Sequence, residues 1–296
     1  MFNKAPIFVN GFQRGGTNIV MNLIASHPEV SLLGGETHEV FHGKHSEPLK
    51  KWLRRGVYFP LLATARQDIF RIHATYERNN LPHICLRYMD LVFYLNKMTA
   101  PGNFQQSNGH KIGKTEIARK RLLAKNVNGV VFATPIFARM YPDATFIGLV
   151  RNGLALSEGF LRRGWTAEEF GLLYENVCQK MIHDSTVFPN YKIVRFEDLL
   201  TDPVKVLKQI YEHSRLDVNQ VSKFKLQAKP SMDKDGKRRY TFGGEVNRER
   251  HWFPLNEIPS CLRRDVNENQ IAQLTDENRR LFLNGARASM EFFGYC

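Results

Sequence analysis

At 296 residues the chain is long enough to bury a full core, and one large α/β domain, or such a domain carrying an insertion, is expected instead of two equal halves. Its 43% hydrophobic and 24% charged content are ordinary for a soluble globular protein, but 42 Lys and Arg against 29 Asp and Glu leave a net charge of +13. That excess suits an anionic partner such as nucleic acid, anionic membrane, polyanionic glycan or a nucleotide with several charges, and it is equally a solubility feature. Cys85, Cys178, Cys261 and Cys296 form no C-x-x-C pair, so neither a zinc site nor a disulfide framework is indicated. No apolar stretch approaches the roughly 20 residues of a membrane span. With nothing resembling a cleavable leader before the first strand, a cytoplasmic protein is expected.

Ile7-Phe8-Val9 is an apolar run of β-formers, followed closely by Gly11, Gly15 and Gly16, and then Ile19, Val20, Leu23 and Ile24 fall at helical spacing. Strand, glycine loop and helix in that order bring backbone N–H groups and a helix N-terminus together, an arrangement that cradles phosphate. Thr17 and Asn18 are candidate caps for the helix and add side-chain donors. The loop is not a Walker A sequence: Gly11 and Gly16 have its spacing, but Thr17 stands where its lysine belongs and Asn18 where its Ser/Thr belongs. This argues against a nucleoside triphosphate with magnesium. Arg14 instead supplies a permanent forked positive charge for an anion that no metal neutralises.

Val30 to Leu33 reads as a short second strand, which puts Glu36 at the strand's C-terminal end, on the edge where open α/β sheets bind ligands. Residues 38–125 are rich in His, Arg, Lys and aromatics. With helical spacing at Leu61 to Ile72 and Met89 to Met98 and a loop at Pro101 to Gly113, they read as a mostly helical insertion covering one side of that edge. Arg54, Arg55, Arg66, Arg71 and Arg87 could recognise an acidic ligand or form a solvated face. Lys125-Asn126 precedes a helix-like segment, Val130 to Met140, and Thr145 to Val150 is a buried parallel strand ending at Arg151. Helices are expected over Glu158 to Arg163 and Tyr174 to Ile182, a strand over Tyr191 to Phe196, and a helix capped by Asp202 with Pro203 in its first turn. Residues 226–250, with Lys237-Arg238-Arg239, read as a mobile basic loop, and a last helix runs from Gln270 to Phe293.

Several of these segments resemble the sulfotransferases. Gly11-x-x-Arg14-x-Gly16-Thr17 with its helix, His27-Pro28-Glu29-Val30 and Gly35-Glu36-Thr37 are similar to the family's 5′-phosphosulfate loop and first βαβ segment, most of all in the tyrosylprotein sulfotransferase branch. Tyr141-Pro142-Asp143-Ala144, the following strand, and Val150-Arg151-Asn152 resemble its second signature. Arg195-Phe196-Glu197-Asp198-Leu199, Asp202-Pro203 and the closing Phe293-Gly294-Tyr295 match scattered blocks further on. The resemblance implies a P-loop-like parallel sheet flanked by helices and 3′-phosphoadenosine 5′-phosphosulfate (PAPS) as co-substrate without a metal. Glu36 is implied as general base, with His38 and Glu39 as neighbouring alternatives, and Arg14 and Lys125 as stabilisers of charge on the sulfuryl group. Arg14, Gly15, Gly16, Thr17 and Asn18 would form the phosphosulfate cradle, Arg151 would grip the 3′-phosphate, and Arg250 in the basic loop before Trp252 would close over the nucleotide. The sequence departs from the family at Gly159, where a serine usually serves the 3′-phosphate, at Leu154, where a second arginine is common, and at Gly15, often a serine. Another donor must substitute in the 3′-phosphate pocket.

The function expected is therefore sulfuryl transfer to an acceptor hydroxyl on a carbohydrate, a tyrosine or a small alcohol, acidic if the basic insertion recognises it. Neither nucleic acid nor a membrane span is expected as a partner. Two rivals remain at this point: a P-loop-type nucleotide kinase, against which the missing loop lysine speaks, and a non-enzymatic polyanion-binding protein, whose affinity would collapse with salt.

Overall fold

The apolar runs pair into a five-stranded parallel sheet of β1 (Ile7–Gly11), β2 (Val30–Leu32), β3 (Arg121–Val127), β4 (Thr145–Val150) and β5 (Tyr191–Arg195), in the order β2-β3-β1-β4-β5. The computed structural model describes residues 1–42, 83–104, 111–242 and 249–296. The helix expected over Leu61 to Ile72, and Arg54, Arg55, Arg66 and Arg71, lie outside the described residues.

Every residue of β1 and β4 is buried, as befits central strands covered on both faces. Alternation along them divides the core. Phe8, Phe146 and Val150 join one cluster with Phe137, Phe170 and Tyr174, whereas Ile7, Val9, Ile147 and Leu149 join another with Leu23, Leu207 and Phe224. The covering helices are α1 (Thr17–Ile24), α2 (Thr37–His42), α3 (His83–Thr99), α4 (Lys114–Arg119), α5 (Thr134–Met140), α6 (Gly153–Leu161), α7 (Ala167–Val187), α8 (Phe196–Thr201), α9 (Pro203–His213), α10 (Ile258–Cys261), α11 (Val266–Ile271) and α12 (Asp276–Phe292). The Asp202 carboxylate accepts from the backbone N–H of Lys205 at 3.0 Å and Pro203 opens α9, the cap read from sequence. None of the described helices is long and apolar enough to cross a membrane.

Three expectations need correction. Residues 121–125 belong to the sheet: β3 runs to Val127, so Lys125 projects from a central strand and does not flank a helix. The polar pair Lys125-Asn126 hid this strand, because polar residues at a strand's C-terminal end look like a break when their partners are remote in sequence. Thr17 and Asn18 do not cap α1; its N-cap is Gly16, without a side-chain cap. Finally, the described part of 226–250 is not one structureless loop. It holds β6 (Phe224–Gln227), paired antiparallel with β9 (Arg250–Phe253), and β7 (Pro230–Met232), paired antiparallel with β8 (Arg238–Tyr240).

In this order β1 has β3 on one side and β4 on the other, so the chain leaves β1 at the sheet's switch point. A crevice at the C-terminal ends of the strands opens there.

Candidate active site

The loop from Gly11 to Gly16 turns by placing two residues in left-handed backbone conformation, Arg14 at φ 66° and Gly16 at φ 88°. Gly16 has a second constraint, because a Cβ there would meet the Phe196 ring at 2.3 Å. Gly16→Ala is accordingly expected to cost about 1–3 kcal/mol of stability from backbone strain alone, read as a lower urea midpoint with an unchanged slope. The Ile19 N–H already donates to the Gly16 carbonyl at 2.8 Å, whereas Thr17 and Asn18, whose amides precede the first helical hydrogen bond, line the crevice.

Three side chains from different elements converge beside this loop. Lys125 Nζ lies 3.0 Å from Glu36 Oε1 and donates to Asn18 Oδ1, also at 3.0 Å. The second Glu36 oxygen, Oε2, is buried without a hydrogen-bond partner, and His38 Nε2 is 3.7 Å from it. Below them runs a ladder of buried polar groups. Thr37 Oγ1 donates to Asn126 Oδ1 at 2.6 Å, Asn126 Nδ2 to Asn10 Oδ1 at 2.8 Å, and Asn10 Nδ2 to Thr134 Oγ1 at 2.9 Å. A satisfied buried network of this kind fixes the positions of its members, and here it ties the backbone next to Glu36 to the backbone next to Lys125.

Arg151, at the end of β4, is only 4% exposed. Its Nη1 donates to the Arg14 carbonyl at 2.7 Å, its Nε to Asn267 Oδ1 at 2.8 Å, and its Nη2 to Gln270 Oε1. The guanidinium carbon also sits 4.8 Å from the Phe196 ring centroid. Burial pushes this guanidinium down to about 10, opposed by the nearby charge of Glu197. Glu197 organises the surroundings: one of its oxygens accepts from the Asn152 backbone N–H at 2.9 Å and from Asn267 Nδ2 at 2.5 Å, the other from the Tyr295 hydroxyl at 2.6 Å.

Arg14, Gly16, Thr17, Asn18, Glu36, Lys125 and Arg151 all line one cavity of about 420 Å³. The arginine-bearing turn and the arginine closing β4 therefore share a single space. Among the described residues seven cationic side chains line it, against one carboxylate, Glu36. Burial holds the Arg14 guanidinium below its usual range, and the like charges of Arg163, Arg238 and Arg162 push the same way. A concave site that crowds cations together while offering apolar walls at Phe196, Leu226 and Phe242 is built for a polyanion with a flat apolar part.

Two of the expected ligands stand elsewhere. Gly15 donates its N–H to the Phe12 carbonyl at 3.0 Å and does not line the cavity. The Arg250 guanidinium packs on Gly102, where an added Cβ would meet Nη2 at 3.2 Å, and Arg250 does not line the cavity either. Arg163 and Arg238 do, although neither stands out in the sequence as a ligand. They extend from the end of α6 and from β8; the only signal in the sequence is two basic runs, Arg162-Arg163 and Lys237-Arg238-Arg239. Gly159 also lines the cavity, and an added Cβ there would touch only Arg14 carbons at 3.6 and 3.8 Å. Ser157 cannot stand in for the missing serine, since it is fully buried and donates to the Gly153 carbonyl at 2.9 Å. Glu36, His38 and Glu39 bring ligand-type atoms within 4.8 Å of one another, but the Lys125 ammonium already neutralises Glu36.

A model of the sulfotransferase family matches residues 6–220. Among solved structures, the sulfotransferase domain of the Synechococcus PCC 7002 olefin synthase is 18% identical, with 74% of this chain and 77% of that one covered and a TM-score of 0.42. A sulfotransferase from Mycobacterium tuberculosis is 19% identical over 73% of this chain and 68% of its own, with a TM-score of 0.40. A mouse sulfotransferase complexed with PAP is 11% identical over 100% of this chain and 90% of its own, with a TM-score of 0.46. No curated protein gives a significant match.

Proposed function

The chain belongs to the sulfotransferase family, and from that premise we propose that it moves a sulfuryl group from PAPS to an acceptor hydroxyl, with Glu36 as general base. The observation that carries this reading is the Lys125–Glu36 pair at 3.0 Å, set beside the phosphate loop in the same cavity as Arg14 and Arg151. PAPS supplies an activated S–O bond to phosphate, and the cavity's donor set suits its charges: several guanidinium groups, the loop amides, and apolar walls for the adenine.

In the transfer, the acceptor oxygen forms a bond to sulfur as the bond from sulfur to the 5′-phosphate oxygen breaks, and the hydroxyl proton passes to Glu36. Oε2 is the oxygen without a hydrogen-bond partner, since Oε1 faces Lys125. Lys125, which touches both Glu36 Oε1 and Asn18 Oδ1, is placed to share its charge with the transferring group as the proton moves. Arg14 and the amides of Thr17 and Asn18 are the donors at hand for the sulfuryl and bridging oxygens. Arg151 acts as the clamp that joins the loop carbonyl at Arg14 to α11, while Arg163 and Arg238 are the cations at hand for the 3′-phosphate that the usual serine would otherwise serve. Arg250 has no part in nucleotide binding on this reading, which replaces the role the sequence resemblance implied for it.

The test is sulfuryl transfer from labelled PAPS to a panel of carbohydrate, tyrosyl-peptide and small-alcohol acceptors with EDTA present. Label in an acceptor supports the reading; metal-dependent phosphoryl transfer from ATP in its place overturns it. A second variant probes the 3′-phosphate pocket. Gly159→Ser finds room beside Arg14 and restores a donor, so it is expected to tighten 3′,5′-adenosine bisphosphate binding by about 0.5–1.5 kcal/mol, the net worth of one hydrogen bond, in a calorimetric titration.

A further inference from the structure

A second cavity, of about 190 Å³, forms where the end of α1, the His27-Pro28 turn and the β6–β9 ribbon meet, and it shares no lining residue with the first. Its walls are mostly polar, and nearly all the buried polar groups in them are committed. His27 sets Nε2 3.2 Å from the Asp217 carbonyl and accepts the Glu29 N–H at Nδ1, also at 3.2 Å. Asn103 donates to the carbonyls of Leu32 and Lys97 and accepts from the Leu32 N–H. Lys120 is paired with Glu116 at 2.8 Å.

Lys225 is the exception. It projects from β6 opposite to Phe224 and Leu226, which enter the core, and it is 3% exposed. Its backbone N–H is pinned to Ser26 Oγ at 2.7 Å, while its Nζ lies 5.8 Å from the Trp252 ring centroid. Among the described residues no carboxylate or hydrogen-bond acceptor holds that Nζ, and the charge that acts on it is the like-signed Arg250. Burial, with Arg250 adding to it, pushes this ammonium down to about 8. A cation taken out of water without a counter-charge is a costly arrangement unless something anionic completes it.

We propose that this cavity is a second anion site, taking a small oxyanion of the sulfate or phosphate class, free or as the end group of a larger molecule, with Lys225 as its charge partner and Trp252 as one wall. The space admits such an ion together with a few waters. The site stands whether or not the first cavity transfers sulfuryl groups.

The test is competitive acylation of lysines on the full chain, read residue by residue by mass spectrometry, in chloride, sulfate and phosphate at equal ionic strength. Sulfate or phosphate at about ten times its dissociation constant is expected to slow Lys225 acylation about tenfold, while the exposed Lys208 reacts alike in all three salts. A phosphomonoester that protects as well as inorganic phosphate would assign the end-group source, and protection by the inorganic ions alone the free ion; either result supports the site. Equal reaction of Lys225 in the three salts would overturn it. So would a Lys225 that stays unreactive in all of them, which would mean that another segment of the chain already fills the cavity.

Discussion

Glu36→Gln is expected to lower turnover by about 10²–10⁴-fold, the range spanned by positioned general bases, while the affinity for 3′,5′-adenosine bisphosphate stays within a few-fold of wild type. Glutamine keeps the size of the side chain and leaves an amide oxygen for Lys125 to donate to, so the loop, Asn18 and Lys125 retain their arrangement. The variant loses the proton acceptor at Oε2, the one oxygen of the pair with no hydrogen-bond partner. Single-turnover transfer measured beside calorimetric binding separates the two effects. Normal turnover in this variant would remove Glu36 from the mechanism and turn attention to His38, whose Nε2 is 3.7 Å away.

Arg151→Ala is expected to be the most damaging single change for the fold of the site, costing about 3–5 kcal/mol of stability, as when one partner of a buried charged network is removed. Arg151 satisfies the Arg14 carbonyl, Asn267 Oδ1 and Gln270 Oε1 at once, and its loss removes the donor that joins them. Because the Arg14 carbonyl is one of the three, the phosphate loop should loosen together with α11, and binding of the bisphosphate should fall below calorimetric detection. Arg151→Lys keeps the charge but not the planar fork, so it should recover only part of the stability. Urea unfolding of the three proteins gives the order wild type, Lys, Ala. An alanine variant as stable as wild type would mean that the clamp does not exist.

The parts of this site that could be read in the sequence are those whose cause is local. Ile7-Phe8-Val9 before Gly11 and Gly16, and Thr145 to Val150 before Arg151, each announce a strand and the turn after it within a dozen residues, and both ends meet in one cavity. Asp202-Pro203 likewise marks a helix start with its own cap. Long-range pairing left no such mark. Lys125 and Asn126 looked like the end of a helical insertion because the partners that make them acceptable in a strand, Glu36, Asn18, Asn10 and Thr37, sit about a hundred residues away in other elements. Thr17 and Asn18 had the composition of caps, but the left-handed Gly16 starts the helix, and Asn18 is occupied by Lys125. Basic residues in the stretch 226–250 could not be sorted from sequence at all. Ribbon pairing decides that Arg238 faces Glu158 across the nucleotide cavity's wall and that Arg250 packs on Gly102. Glu197 carries no mark of its role in the sequence beyond the matched block, yet it holds Asn152, Asn267 and Tyr295 around the clamp.

The most direct measurement is a calorimetric titration of the wild-type chain, in EDTA, with 3′,5′-adenosine bisphosphate and in parallel with ATP, then again with magnesium. A cavity in which Arg14 and Arg151 serve one adenosine nucleotide without a metal predicts saturable binding of the bisphosphate in EDTA, unchanged by magnesium and stronger than that of ATP. Tight binding of ATP that appears only with magnesium, and none of the bisphosphate, would contradict it.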